Sequence, residues 1–494
     1  MNFNQLILNT FNKTYTDNGA RALKTTNDAL IDFLFSAGAM RDSNAIEIVK
    51  LFDKALAENK DKAMKLLFYI RDCREGMGER RFFRECLKSL IRSGYTKTFI
   101  KNMDNIIEFG RYDDLFVVFE DEFDHMFGIQ KFVCDFLFKQ LEEDLTAEYP
   151  TLLAKWLPTE KSGIKARHIA KKLIALQYNF YTDAASADYR RVVSRIRKKL
   201  NIIEHQITEK SYFAIDYSKV PSMAMKRYQP LFFKYDEVRF AEYLNSVRKG
   251  EKKLNASLLT PVDIVQDIIN SKKSDYYNEA WNNLKDFRND ENEGALVVCD
   301  TSGSMTINQN RPLATAIGLS IYIAERNHDV FKNKFITFSH KPSLNKIIGD
   351  NIVEKVENLE KAEWAMNTNI DLVFDIILST AIKYRVSQKD MIKKVFIISD
   401  MEFDMADDEA DDTLFEYWRR QFINVGYSLP HIVYWNVAGS TKHFPASKYD
   451  DVTLVSGSSA VSLQFALNGA ESVIRQICNK ERYSKICFEF CLTK

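Results

Sequence analysis

The chain has 494 residues, of which 46% are apolar and 28% charged, with a formal net charge of +1. That is the composition of an ordinary soluble globular protein with room for two to four domains, and the charge balance excludes a polyelectrolyte. No apolar run is long enough for a bilayer span, and MNFNQLILNTFNKTYTDNG at the start has neither the basic opening nor the long apolar centre of a secretory signal. The seven cysteines (73, 86, 134, 299, 478, 487 and 491) are odd in number and form no C-x-x-C pair, which predicts reduced core thiols in a cytoplasmic protein.

Residues 1–290 read as helices. Apolar side chains recur at three and four, as in Ile46, Val49, Leu51, Ala55, Leu56 and then Met64, Leu66, Leu67, Ile70. Breaks at Gly, Asn, Asp or Pro divide the stretch into helix pairs, which predicts an all-α HEAT-like repeat domain of about seven units of about 40 residues. Within it, KLLFYIRDCREGMGERRFFRECLKSL (65–90) reads as two helices joined by a turn, where Gly76 and Gly78 suit positive φ. Arg74, Arg80 and Arg81 crowd that turn among interleaved acids, and GRYDDL (110–115) opens a further helix.

Basic charge is concentrated further on. Residues 161–200 carry 11 Lys and Arg against two Asp, and YRRVVSRIRKK (189–199) has six basic residues and no acid. On a helix, Arg191, Arg195 and Lys198 share one face, with Arg190 and Arg197 turned away from it and Lys199 at the end. Lys226 and Arg227 extend the set. Such a face suits nucleic-acid phosphates, and Tyr189, Tyr212 and Tyr228 are candidates to stack on bases.

The polar stretch DFRNDENEG (286–294) then reads as a linker, and the periodicity changes after it. Short β-rich runs at 295–300, 333–339, 393–400, 429–437 and 451–457 alternate with helical stretches at 311–327, 370–386, 411–425 and 459–479. This predicts a second domain, 291–494, built as a doubly wound, mostly parallel α/β sheet. The two parts also differ in charge, net +4 before Ala295 and net −3 from there on.

The most specific signal sits at the start of that domain. The apolar run ALVVC ends in Asp300, and the turn DTSGSM brings Ser302 and Ser304 close behind it. KKVFIISD places Asp400 after another strand, and AMNTNIDLVF places Thr368 before a helix. Carboxylates and hydroxyls are hard oxygen donors, suited to Mg²⁺, with Mn²⁺ or Ca²⁺ as alternatives. In an open parallel sheet the loops that carry them converge at the carboxyl ends of the strands. The acidic run DMEFDMADDEADD (400–412) reads as a solvated loop leading into a helix. A serine hydrolase with His340 as base lacks G-x-S-x-G, so no enzyme is expected.

The order D-x-S-x-S, Thr, Asp resembles a von Willebrand factor A domain with a metal-ion-dependent adhesion site. R-D-x-R-x-G-x-G-x-R at 71–80 and GRYDDL resemble the Ro ribonucleoprotein (TROVE) family, as do LLAKWLPTEKS (152–162), YRRVVSRIRKKLNIIEH (189–205) and VPSMAMKRY (220–228). The likeness is greatest to Ro-like proteins of uncharacterised function. It implies a ring of helical repeats shut by the A domain, with structured, single-stranded or misfolded RNA on its basic surface. The expected function is a non-enzymatic RNA-binding scaffold with a Mg²⁺-binding A domain. The alternative is a metal-dependent module that takes an Asp or Glu from a protein partner, with no role for RNA. Neither reading involves a membrane or a small-molecule substrate.

Overall fold

The computed structural model describes residues 11–161, 163–200, 202–270, 272, 274–287, 294–327, 331–337, 343–360, 370–404, 413–438, 443–448, 450–465 and 470–489. It is mixed helical, with a mostly parallel six-stranded sheet in the C-terminal part. The chain divides into two compact units, one made of 1–82 and 253–484, the other of 83–252 and 485–494. This division follows packing rather than chain order: the first 82 residues belong with the sheet.

In the first unit, β1 (Lys13–Tyr15) and β2 (Arg21–Leu23) form an antiparallel hairpin. The sheet contains β3 (Ala295–Cys299), β4 (Lys334–Thr337), β5 (Leu344–Lys346), β6 (Lys394–Ser399), β7 (His431–Asn436) and β8 (Val452–Ser456), in the order β5-β4-β3-β6-β7-β8. All neighbours run parallel except the edge strand β5. Strands β3, β6 and β8 are buried along their whole length. That is why β3, and β6 from Val395 to Ile398, read as continuous apolar runs rather than alternating ones.

The sequence also left β5 and the helix Ile352–Glu360 unmarked. The strand has only three residues on an edge, with both ends exposed, so no apolar pattern announces it.

The N-terminal segment is fastened to the sheet and its loops by backbone and hydroxyl hydrogen bonds. Leu23 and Phe444 exchange N–H···O bonds of 2.9 and 2.8 Å, and the Thr16 hydroxyl donates to the Phe403 carbonyl at 2.7 Å. The helix Ala29–Ala37 ends at Gly38, whose N–H donates to Ser456 Oγ at 3.0 Å.

The turn after the helix Lys60–Arg71 folds back on it. Met77 N–H donates to the Tyr69 carbonyl and Glu79 N–H to that of Ile70, at 3.1 and 2.8 Å. Gly78 has φ +74°, the left-handed conformation expected there. Gly76 does not; it is required by space instead, because a Cβ would lie 2.0 Å from the Tyr69 carbonyl oxygen. Asp72, fully buried in this turn, accepts from the Arg482 guanidinium and the Tyr483 hydroxyl.

The second unit is helical among its described residues. Its longer helices are Phe127–Thr146, Ile164–Tyr178, Asp183–Lys199, Ser222–Tyr235 and Glu237–Arg248. Arg84 binds the two carboxylates of the GRYDDL motif, Asp114 at 2.6 Å and Asp113 at 2.9 Å, and Asp114 is fully buried. The interleaved charges of 71–85 are thus largely structural pairs.

Of the six described cysteines, Cys86, Cys134, Cys299 and Cys478 are buried, Cys487 is half-buried and Cys73 is exposed. Cys73 therefore departs from the expected core thiol, because it sits on the outer side of the Gly76 turn. No helix among the described residues is long and apolar enough to cross a membrane.

Candidate functional site

Two adjacent parallel strands present the acidic pair. β3 and β6 are in register from Ala295↔Lys394 to Cys299↔Ile398, and Asp300 N–H donates to the Ile398 carbonyl at 3.0 Å. Asp300 and Asp400 therefore leave the sheet together. They do so where the chain, having placed β4 on one side of β3, places β6 on the other, the position at which α/β sheets bind ligands.

Asp300 is fully buried and Asp400 is 5% exposed. The loop closes on Asp300 through Ser302 N–H, which donates to Oδ1 at 2.9 Å. Ser302 Oγ and Ser304 Oγ lie 2.9 Å apart. Ser399, which closes β6, donates its hydroxyl to Asp300 Oδ2 at 2.6 Å and lies 3.4 Å from Asp400 Oδ1. Glu402 N–H donates to Asp400 Oδ1 at 3.1 Å.

Burial first, and the charge of Asp400 second, push the Asp300 carboxyl up to about 7. Burial also raises Asp400. Among the described residues neither has a Lys, Arg or His as ion-pair partner. Buried like charges without a counter-ion are costly, and the atoms around them are all hard oxygens. This donor set fits Mg²⁺, Mn²⁺ or Ca²⁺, which Asp300, Ser302, Ser304 and Asp400 would hold. Thr368, the fifth expected ligand, lies outside the described residues, as does His340.

Ser399 is the participant that the motif spacing does not single out. Its signal in the sequence is a hydroxyl that closes the apolar run VFII of β6. Cys299, one residue before Asp300, is fully buried, and burial pushes its thiol up to about 12; it remains a core group. Of the acidic run, residues 405–412 lie outside the described residues. Glu402 accepts from Asp17 N–H at 2.7 Å and meets His443 Nδ1 at 3.0 Å, so it helps to seat the N-terminal hairpin.

The basic candidates separate into structural and exposed groups. In the first unit, Arg74 and Arg80 are exposed, and Arg81 donates to the carbonyls of Arg41 and Ser43 at 2.9 and 2.7 Å. In the second, Arg190 pairs with Glu160 at 2.6 Å. Arg197 donates to the carbonyls of Ala154 and Leu157, each at 2.7 Å, and Lys199 to those of Leu145 and Ala147.

Arg191, Arg195 and Lys198 remain on the open face of the helix Asp183–Lys199. Arg191 is 77% exposed beside Asp188, and Arg195 and Lys198 have no ion-pair partner among the described residues. Lys226 is half-buried; Arg227 is exposed over the Tyr228 ring at 5.4 Å. Tyr189 is buried with its hydroxyl on the Pro158 carbonyl at 2.8 Å, and Tyr212 is buried against Tyr235, so both are packing residues.

A family model described as "Domain of unknown function (DUF2828)" matches residues 16–173 and 139–301. Another, "Domain of unknown function (DUF7788)", matches 294–485. The chain is 29% identical over 498 residues to "Uncharacterized protein L728" of Acanthamoeba polyphaga mimivirus, covering 93% of this chain and 85% of that protein. Among solved structures it is similar to the crystal structure of the Deinococcus radiodurans RO (RSR) protein, with a TM-score of 0.40 and 11% identity over 88% of this chain and 93% of that one.

Proposed function

The chain belongs to the family described as domain of unknown function DUF2828, and we propose that it is a non-enzymatic RNA-binding scaffold with a Mg²⁺-binding A-like domain. Its A-like sheet would hold Mg²⁺ at Asp300, Ser302, Ser304 and Asp400, with Thr368 as the expected fifth ligand. Its exposed basic helix would hold RNA. The finer architecture implied by the Ro resemblance, a ring of HEAT-like repeats shut by a von Willebrand factor A-like domain, belongs to the same proposal.

The observation that carries the cation part is the pair of buried, unneutralised carboxylates joined through Ser399. A divalent ion there supplies positive charge and open coordination positions for an acidic oxygen. The chain's own part is to fix the carboxylates: Ser302 N–H and Ser399 Oγ hold the two oxygens of Asp300, and Glu402 N–H holds Asp400.

The RNA part is supported by the face Arg191, Arg195 and Lys198, which the fold leaves open while it employs Arg190 and Arg197 internally. Filter binding of a stem-and-tail RNA across a salt series tests it. A steep fall of affinity with salt is expected; flat, weak binding at low and moderate salt overturns it.

The second reading, a protein-interaction module independent of RNA, is favoured by the same carboxylate pair. It requires that a partner be released by EDTA and by Asp300→Ala, with the basic face dispensable.

A further inference from the structure

Beside the metal loop, the first unit holds a cavity of about 200 Å³. Its charged lining is Arg41, Arg311 and Asp42, with Ser458 beside them, and its apolar lining includes Gly38, Val437 and Ala438. None of Asp300, Ser302, Ser304 or Asp400 lines it.

Arg311 has no carboxylate at ion-pair distance among the described residues, while the charges of Asp263, Glu79 and Asp42 act on it from further away. The one hydrogen bond of its guanidinium among the described residues runs from Nη2 to Ser458 Oγ at 3.3 Å. A guanidinium has five N–H donors, so most of this one faces the cavity unused. Arg41 stands nearby, close enough that its charge, after burial, lowers the affinity of Arg311 for its proton. Arg41 spends Nε and Nη2 on Glu79, at 3.0 and 2.6 Å, which leaves Nη1. Ser458 Oγ accepts from Arg311 and keeps its own proton to donate.

We propose that this cavity binds a phosphate monoester, with Arg311 as the anchor and Arg41 Nη1 and the Ser458 hydroxyl as further donors. A tetrahedral oxyanion offers several acceptor oxygens in different directions, matching two guanidinium edges and a hydroxyl. The space exceeds what a bare ion fills, so the organic part of the ester lies against Gly38, Val437 and Ala438. That wall is rigid: a Cβ on Gly38 would lie 2.5 Å from Gly457 Cα, and Gly457 itself has φ +90°. Two sources share this chemistry, a free mononucleotide and the terminal phosphate of an RNA strand.

The test is thermal unfolding of the full chain in EDTA, so that the outcome is independent of the metal proposal. The probes are inorganic phosphate, a 5′-mononucleotide, its nucleoside, and a short oligoribonucleotide with and without a 5′-phosphate. The phosphorylated probes should raise the midpoint and the unphosphorylated ones should not. Preference for the mononucleotide identifies a small-molecule site; preference for the phosphorylated strand identifies a strand-end site.

Arg311→Met should abolish the shift while unfolding cooperatively. Ser458→Ala, which disturbs the fold less, should weaken binding roughly tenfold, the effect of one charge-assisted hydrogen bond. Absence of a shift with every phosphorylated probe, or an equal shift in Arg311→Met, overturns the proposal.

Discussion

Arg482 grips Asp72 across 410 residues of sequence, with Nε 2.6 Å from Oδ2 and Nη2 3.1 Å from Oδ1. Tyr483 adds its hydroxyl at 3.2 Å, and Arg74 N–H donates to Oδ1 at 2.9 Å. The carboxylate has no exposed surface, so the motif residue that looks like part of a charged surface turn is the buried end of a clamp. Removing one partner of such a pair costs about 3–5 kcal/mol. Asp72→Ala and Arg482→Met should each lower the urea midpoint substantially, and the double variant should lose far less than the sum. Full additivity would show that the two side chains do not act as a pair.

The same turn predicts two different glycine effects. Gly76→Ala places a methyl 2.0 Å from the Tyr69 carbonyl oxygen, so backbone has to move. Gly78→Ala meets only Cys73 Cα, at 3.9 Å, and suffers chiefly from its φ of +74°, at about 1–2 kcal/mol. Denaturant titration should therefore rank Gly76→Ala as the more damaging. The reverse order would mean that conformation, not space, governs both sites.

The sheet was legible because its central strands are buried on both faces, so that ALVVC and VFII stand out as apolar runs, the first followed at once by Asp300 and the second by Ser399 and Asp400. Asp300 and Asp400 follow from that pattern. Ser399 does not, because its role depends on β6 lying beside β3, which sequence spacing leaves open. Nor does the packing of residues 1–82 with the sheet, which rests on backbone bonds such as Leu23 to Phe444 that carry no side-chain signature. On the basic helix, spacing separated the Arg191 face from Arg190 and Arg197. What occupies the latter two, Glu160 and the carbonyls of Ala154 and Leu157, is tertiary.

That separation gives a test within one helix. Reversing charge at Arg191, Arg195 and Lys198 should weaken RNA binding and flatten its salt dependence, by about 0.7 in logarithmic slope for each single-strand phosphate no longer neutralised. Arg197→Ala should instead lower the unfolding midpoint, since its guanidinium supports two backbone carbonyls. If Arg197→Ala changes the slope as much as the triple variant, the exposed face is not where RNA binds.

His431, at the start of β7, gives a pH signature. Burial lowers its affinity for a proton below the usual imidazole value, with Lys394 acting in the same direction and Asp451 against it. Nε2 lies 2.8 Å from the Thr453 hydroxyl. The unfolded chain then binds more protons than the folded one just below pH 6.5. This contribution to stability is therefore full above that pH and is lost as pH falls through the folded value. The slope it adds is at most about 1.4 kcal/mol per pH unit. In His431→Gln, the stability profile just below pH 6.5 should be flatter than in the parent chain; an unchanged profile would assign the slope to other groups.

Asp300 and Asp400 make an opposite prediction for the same substitution with and without metal. In EDTA, Asp300→Asn removes one of two buried like charges, so it should unfold no earlier than the parent chain. With Mg²⁺ the order should invert: at about one hundred times the dissociation constant the parent gains about 2.7 kcal/mol, and the variant, lacking a ligand, gains little. Ser399→Ala keeps every proposed ligand but frees Asp300 Oδ2, so it should retain the Mg²⁺ response with an affinity lower by about 10–100-fold. Thermal midpoints across a Mg²⁺ titration measure all three. A parent chain indifferent to Mg²⁺, Mn²⁺ and Ca²⁺ would leave the two carboxylates as loop-holding groups, with Ser399 and Ser302 as their hydrogen-bond donors, and would remove the cation from the proposed function.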